Sequence, residues 1–206
     1  MVAGARVRRR GGGCRAAKWG GMDLLALYNW VAVPLLLVVG AFALVTGAPP
    51  MPSPGVTVEP ILGSIPEGTR GRALELGSGW GQLALAMARR HPGLMVEGVE
   101  LSPVPYFFSR AVALLSPLPN LLFKFGNFHN LDMADARVVV CYLSPANLGR
   151  LAPKLEASLP RGCLVVSNTF NVPGWKPNSE LVEGGYPVYT YTMPPEKLPA
   201  RRAKTN

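Results

Sequence analysis

The sequence predicts an α/β fold: a mostly parallel sheet whose last strand is antiparallel, preceded by one N-terminal membrane-anchoring helix. Three observations predict this fold: an uncharged apolar run, apolar strands that alternate with helical stretches, and a final tyrosine- and valine-rich segment among turn residues. The predicted organisation is a basic flexible tail (1–23), a membrane anchor (24–46), a Pro/Gly-rich linker (47–69), an α/β domain (70–195) and a C-terminal tail (196–206).

The net charge of +9 is concentrated in the basic tail. Residues 1–22 carry six of the 21 basic residues and no acid, whereas the chain from Asp23 onward has 15 basic and 12 acidic residues. The α/β domain is therefore only weakly basic, which argues against a nucleic-acid partner. The tail itself is open to two interpretations, a solvated extension or an RNA- or lipid-binding arm, and we expect translation to begin at Met22.

The uncharged run from Leu24 to Thr46 is the predicted membrane anchor. Its 23 residues would extend about 34 Å as a helix, which is enough to cross the hydrocarbon core of a bilayer. Tyr28 and Trp30 lie near its start, where aromatic side chains favour the membrane interface. A buried core helix and a cleaved signal peptide are the alternative interpretations.

Strands and helices alternate beyond the linker. Strands are predicted over 72–76, 94–100, 121–125, 137–143 and 163–168, and helices over 80–90, 103–115 and 145–158. This alternation favours a parallel, doubly wound sheet. The segment from Val182 to Met193 predicts a closing pair of antiparallel strands.

A glycine-rich turn follows the first predicted strand. Its sequence is Glu75-Leu76-Gly77-Ser78-Gly79-Trp80-Gly81. Alternate glycines let the backbone turn sharply and let a ligand approach closely, and the next helix offers free N–H groups. An acid two residues before the first glycine would repel a pyrophosphate and favour a cationic ligand. S-adenosylmethionine has both an amino acid zwitterion and a positive charge, so we expect Glu75, Gly77, Ser78, Gly79 and Gly81 to bind it.

Two further strand ends carry polar residues. Glu100 ends the second strand, where a carboxylate can accept hydrogen bonds from ribose hydroxyls. Asn127 and Phe128 follow the third strand, where an amide can bond an adenine edge and an aromatic ring can stack on it. We include Leu101, next to Glu100, among the expected cofactor contacts.

Metal and disulfide chemistry are not expected. The three cysteines form no CxxC pair, and the two histidines, His91 and His129, are far apart in the sequence. The site is therefore predicted to contain no metal.

The glycine motif and Glu100 together resemble the class I S-adenosylmethionine-dependent methyltransferases, in which the adenine position held here by Asn127 is usually Asp. The resemblance implies a Rossmann-like sheet of seven strands with the last one reversed. It also places the methyl acceptor after the fourth strand, so Tyr142, Ser144 and Pro145 are the expected catalytic residues. Alternatively, Tyr142 is a core aromatic and Pro145 only opens a helix.

A narrower resemblance covers roughly residues 24–193. It is to the membrane-anchored lysine methyltransferases of the mitochondrial adenine nucleotide translocase and the ATP synthase c-subunit. The residues that carry it are the anchor, the glycine motif, Val99 to Pro103, Tyr142 to Pro145, Leu151, Lys154, Leu155, Leu159, Pro160, Gly162, Val165 to Ser167, Phe170, Pro173, Trp175 and Pro177. The resemblance implies lysine N-methylation of a membrane-protein substrate, with the bilayer as a further partner.

Two other functions stay open from the sequence: a small-molecule or lipid methyltransferase, and a non-catalytic assembly factor at the membrane. The expected location is a membrane, cytoplasmic or inner, with the catalytic domain on the side that holds S-adenosylmethionine. The basic tail would place the domain on the opposite side. A chain that starts at Met22 lacks those bases, and this removes the conflict.

Overall fold

The computed structural model describes residues 57–198, together with residues 29, 30, 32–34 and 37. The helices of the 57–198 domain are α1 (Val58–Ser64), α2 (Gln82–Arg90), α3 (Pro103–Leu115) and α4 (Pro145–Ser158). The strands are β1 (Gly71–Leu76), β2 (Leu94–Glu100), β3 (Leu121–Phe125), β4 (Ala136–Cys141), β5 (Leu164–Asn168), β6 (Trp175–Lys176), β7 (Ser179–Glu183), β8 (Tyr186–Thr192) and β9 (Glu196–Lys197).

Seven of these strands form one sheet in the order β3-β2-β1-β4-β5-β8-β7. The first five strands in chain order pair in parallel, and β8 runs antiparallel to both β5 and β7. The predicted mostly parallel sheet with a reversed last strand is therefore confirmed. After β1 the chain adds β2 on one side of it, and later adds β4 on its other side. At such a switch point in the strand order a crevice opens at the carboxyl ends of the strands.

Each face of the sheet is covered by helices because the central strands are apolar on both faces. Val138 and Val140 of β4 face the layer that contains α1 and α2. Val139 and Cys141 face the opposite layer, where α4 packs through Leu148, Leu151 and Leu155. This double burial explains the nearly unbroken apolar run of β4.

The predicted anchor, residues 24–46, lies mostly outside the described residues. The backbone is helical at each of the six residues described there, 29, 30, 32–34 and 37. In the part of the chain that the structure describes, no helix has both the length and the apolar character needed to span a membrane. The basic tail, residues 47–56 and the last eight residues also lie outside the described part.

The structure differs from the predicted linker in one respect, because helix α1 occupies part of it. Ile61, Leu62 and Ile65 are buried against α2 and the sheet. Pro60 and Gly63 give this segment the composition of a linker, but the burial of three large side chains outweighs their cost to a helix. At the other end, β9 pairs with β6, so the predicted C-terminal tail begins inside a short strand.

Candidate functional site

The glycine-rich turn lies at the carboxyl end of β1, at the switch point of the sheet. Gly77, Gly79 and Gly81 all have positive φ angles, of 76°, 53° and 82°. A side chain is strained in this region of backbone space, which explains why the sequence places glycine at all three positions. At Gly79 a Cβ atom would meet no described atom within 4 Å. The turn therefore leaves an open cradle beside the N-terminus of α2.

Glu75 and Ser78 bring buried polar atoms to this cradle. The Glu75 side chain is only 5% exposed, and neither its Oε2 nor the Ser78 Oγ has a hydrogen-bond partner among the described residues. Burial raises the pKa of Glu75 to about 8, a hydrogen bond from the backbone of Ala84 acts in the opposite direction, and the charge of Glu100 adds to the rise. Buried polar atoms normally have partners, so these two atoms are available to a polar ligand that enters the cradle.

Glu100 links the loop after β2 to the glycine turn. Its Oε2 accepts a hydrogen bond from the Gly79 backbone N–H at 2.8 Å, and its Oε1 accepts one from the Ser102 N–H at 2.7 Å. Each carboxylate oxygen has a second lone pair, so the carboxylate retains acceptor capacity for a ribose hydroxyl. The apolar side chain of Leu101, next in the chain, is exposed at the same edge.

Asn127 and Phe128 lie after β3, at the start of the 3-10 turn Phe128–Asn130. The Asn127 Oδ1 accepts a hydrogen bond from the His129 N–H at 2.9 Å, so this oxygen caps the turn. The half-buried ring of Phe128 lies 4.8 Å from the His129 ring, centroid to centroid. The Asn127 amide nitrogen and the second lone pair of Oδ1 remain free to bond an adenine edge, and the cofactor role of both residues stays a prediction.

Tyr142 follows β4 and is half-buried at the same edge of the sheet. Its ring lies nearly parallel to that of Phe170, with an angle of 11° and a centroid distance of 6.4 Å. Ser144 caps α4 by accepting a hydrogen bond from the Asn147 N–H at 3.4 Å, and Pro145 is the first residue of that helix. Ser144 and Pro145 thus have a structural explanation, and the catalytic roles of all three residues remain predictions.

The end of β5 and the loop after it bring further residues to this edge of the sheet, among them Asn168, which the sequence indicates only as a weaker candidate. Asn168 is fully buried and donates a hydrogen bond from Nδ2 to Thr57 Oγ1 at 3.1 Å, while its Oδ1 accepts one from Thr169 Oγ1 at 3.2 Å. Thr169 has a φ of 68°, which is strained for a β-branched residue and typical of functional loops. Phe170 follows directly, so this loop positions one of the two stacked rings.

Within the described residues, no group of three or more His, Cys, Asp or Glu side chains could hold a metal ion. Cys141 ends β4 close to the site, but burial raises the pKa of its thiol to about 12. It is therefore protonated at neutral pH and is a poor nucleophile.

Two lysine methyltransferases are similar to this chain over most of its length. Adenine nucleotide translocase lysine N-methyltransferase of Mus musculus is 31% identical over 139 residues, which cover 66% of this chain and 59% of that protein. The lysine N-methyltransferase of the ATP synthase c-subunit from Rattus norvegicus is 29% identical over 135 residues, which cover 65% and 62%. The chain thus spans less than two thirds of the length of either relative.

A solved structure shows the same fold. An RNA methyltransferase from Salinibacter ruber, crystallised in complex with S-adenosyl-L-homocysteine, has a TM-score of 0.65 and 29% sequence identity. The match covers 73% of this chain and 97% of that one. The methyltransferase fold class predicted from the sequence is confirmed by this match.

A sequence model described as the ANTKMT methyltransferase domain matches residues 75–179, just over half of the chain. The match begins at Glu75, includes the glycine turn, Glu100 and the Tyr142 segment, and extends into β7. It confirms, at the level of the family, the predicted resemblance to methyltransferases. The chain therefore belongs to the ANTKMT methyltransferase domain family.

Proposed function

We propose that this protein transfers a methyl group from S-adenosylmethionine to a lysine side chain of a membrane-associated protein. The observation that carries the proposal is the cradle at the end of β1, where three left-handed glycines adjoin the unpartnered Glu75 Oε2 and Ser78 Oγ. The similarity to two lysine methyltransferases supports the lysine acceptor.

The described residues fit this methyl donor. Glu75 and Ser78 would bind its amino acid part, the open side of Gly79 would admit it, and Glu100 would accept hydrogen bonds from its ribose. When bound, S-adenosylmethionine supplies an electrophilic methyl group on a positively charged sulfur. That charge favours the ionised form of Glu75, so we expect the affinity for the donor to rise with pH toward about 8.

The acceptor end of the site would be formed by Tyr142 and Phe170. Both rings are half-buried, and their accessible sides can pack against the aliphatic part of a lysine side chain and attract its ammonium group. The amine must lose its proton before it attacks, since its ordinary pKa is about 10.4. A site that is shielded from water and close to a positive charge lowers that pKa, so the amine releases its proton to water as it enters the site. The protein then needs to align the amine but not to supply a dedicated base.

The membrane part of the proposal depends on residues 24–46. Their uncharged sequence supports an anchor that keeps the catalytic domain beside its substrate. Sealed vesicles that contain the full chain test the orientation, because a protease added from outside digests the C-terminus only when it lies on that side. Digestion from the side without S-adenosylmethionine would contradict the proposal.

The enzymatic part is tested by incubating the full chain with methyl-labelled S-adenosylmethionine and membranes. Label should enter protein, in a form that yields methyllysine after acid hydrolysis. Gly77→Arg should abolish both donor binding and labelling, because it adds a large side chain to the cradle. Gly162→Arg is the matched control: Gly162 has a similar φ of 80° and open space around it, but it lies before β5, away from the cradle.

The distribution of the label distinguishes the competing functions. Label that is extracted with lipid would indicate a lipid methyltransferase, and label that is removed by ribonuclease would indicate an RNA substrate. Donor binding without transfer to any fraction would favour the non-catalytic assembly factor. Each of these outcomes would contradict the lysine assignment.

A further inference from the structure

The outer face of helix α3 has the wrong polarity for contact with water. Its two buried residues, Pro105 and Ser109, are small or polar. Its exposed residues include Phe107 at 68% and Leu115 at 87% exposure. We call this surface the α3 face, and it consists of Phe107, Phe108, Ala111, Leu114 and Leu115. Tyr106 and Ala113 on the inner side of the helix pack against the core, so the α3 face is a second apolar surface of the same helix. A helix of a soluble domain normally exposes a polar face there, so the exposed apolar residues indicate that another apolar phase covers the α3 face.

We propose that the α3 face docks the catalytic domain onto the surface of a bilayer that contains anionic lipids. This inference rests on the proposed function in one respect, namely that residues 24–46 anchor the chain. Ten residues separate that segment from Thr57, and a chain of this length spans at most about 36 Å. The domain therefore stays within reach of the membrane that holds the anchor.

The charges around the α3 face favour lipid headgroups over other occupants. Residues 101–123 contain one basic residue, Arg110, and no acid. Arg89 adds a second base, since its Nη2 donates a hydrogen bond to Ser116 Oγ at the end of α3, 2.8 Å away. An apolar face bordered by basic residues is typical of helices that lie in the interface of anionic membranes.

Two other occupants fit these charges less well. The uncharged segment 24–46 has no acid to pair with Arg110. A second copy packed on the α3 face would add another Arg110 and no acid from α3, so the basic residues would lack an acidic partner there. An anionic bilayer satisfies both the apolar and the basic residues.

The α3 face is also continuous with the candidate site. The ring of Phe108 lies edge-on to that of Trp80, with centroids 5.1 Å apart, and Trp80 belongs to the glycine turn. Docking through this face would thus hold the cofactor edge of the sheet close to the membrane. A lysine near the membrane surface would then be presented to Tyr142 without the enzyme leaving the bilayer.

Fluorescent labelling of the full chain tests the docking surface. An environment-sensitive dye is attached at Leu115→Cys in a Cys14→Ser background, and the protein is reconstituted into vesicles of phosphatidylcholine and phosphatidylglycerol with a lipid-borne quencher. The control carries the dye at Ala157→Cys, on the exposed side of α4, which covers the opposite face of the sheet. The 115 label should be quenched at least about twofold more than the 157 label, since only the former enters the headgroup region.

Charge reversal gives a second measurement. Arg110→Glu should weaken quenching of the 115 label, whereas Arg161→Glu, on an exposed loop residue after α4, should leave it unchanged. Equal quenching at positions 115 and 157, in protein that still floats with the vesicles and still transfers methyl groups, would overturn the docking proposal alone. Strong quenching at 115 in protein that transfers no methyl group would support docking and contradict the enzymatic proposal.

Discussion

Replacing Gly81 with alanine should destabilise the domain for two separable reasons. Gly81 precedes α2 with a φ of 82°, a region that costs an alanine about 1 to 2 kcal/mol. The new Cβ would also lie 2.6 Å from Phe123 Cζ and 2.8 Å from Ser109 Cβ, and both neighbours are buried. Overpacking of this kind costs about 1 to 3 kcal/mol, and the reduced entropy of the unfolded chain offsets up to about 1 kcal/mol. These contributions sum to a loss of about 1 to 5 kcal/mol, centred on about 3 kcal/mol.

Gly162→Ala separates the two causes. Gly162 has a φ of 80°, almost that of Gly81, but a Cβ there would meet no described atom within 4 Å. It therefore carries the backbone cost without the steric cost. Thermal unfolding of the full chain in a mild detergent should give a melting temperature about 5 to 15 °C lower for Gly81→Ala, with a clearly smaller decrease for Gly162→Ala. Equal decreases for the two variants would refute the steric argument.

Three further predictions concern single side chains. Because burial raises the pKa of Glu75 from 4.5 to about 8, the folded donor-free protein holds a proton that the unfolded chain releases. The free energy of unfolding of the protein should therefore fall as pH rises from about 4.5 to about 8 and then level off. The melting temperature of Glu75→Gln should lack this decline. Trp175→Phe removes a 2.7 Å hydrogen bond to Glu156 and should lower unfolding free energy by about 1 to 3 kcal/mol, with donor affinity in calorimetry unchanged. Asn168→Ala should slow single-turnover methyl transfer more than it weakens donor binding, because it frees the loop that carries Phe170; an equal effect on both would contradict this positioning role.

Local pattern was sufficient to predict the central sheet. The predicted second and third strands, 94–100 and 121–125, coincide with β2 and β3, and the third predicted helix coincides with α4. The spacing of apolar residues and the glycines between segments indicate these strands and this helix from neighbouring residues alone. Helix α1 was missed because Pro60 and Gly63 resemble linker composition, and the burial that stabilises the helix comes from distant parts of the chain.

The same distinction applies to the candidate site. The glycine turn and Glu100 were predictable because their chemistry is contained in short motifs at strand ends. The contact between Asn168 and Thr57 joins residues 111 positions apart, and no local pattern indicates it. The pairing of Tyr142 with Phe170 likewise depends on β4 and β5 lying side by side in the sheet. The exposure of α3 is also a tertiary property, because its sequence alone resembles that of a buried helix.

The two hydrogen bonds of Glu100 have a consequence for how tightly a ligand can bind. By holding Gly79 on one side and Ser102 on the other, the carboxylate fixes both loops before any ligand arrives. The conformational entropy of the two loops is then lost when the protein folds and not when the ligand binds. Less of the binding free energy is therefore offset by ordering the site. Removing Glu100 would therefore weaken binding through mobile loops as well as through a missing acceptor, and its effect should exceed that of deleting the corresponding ribose hydroxyl from the ligand.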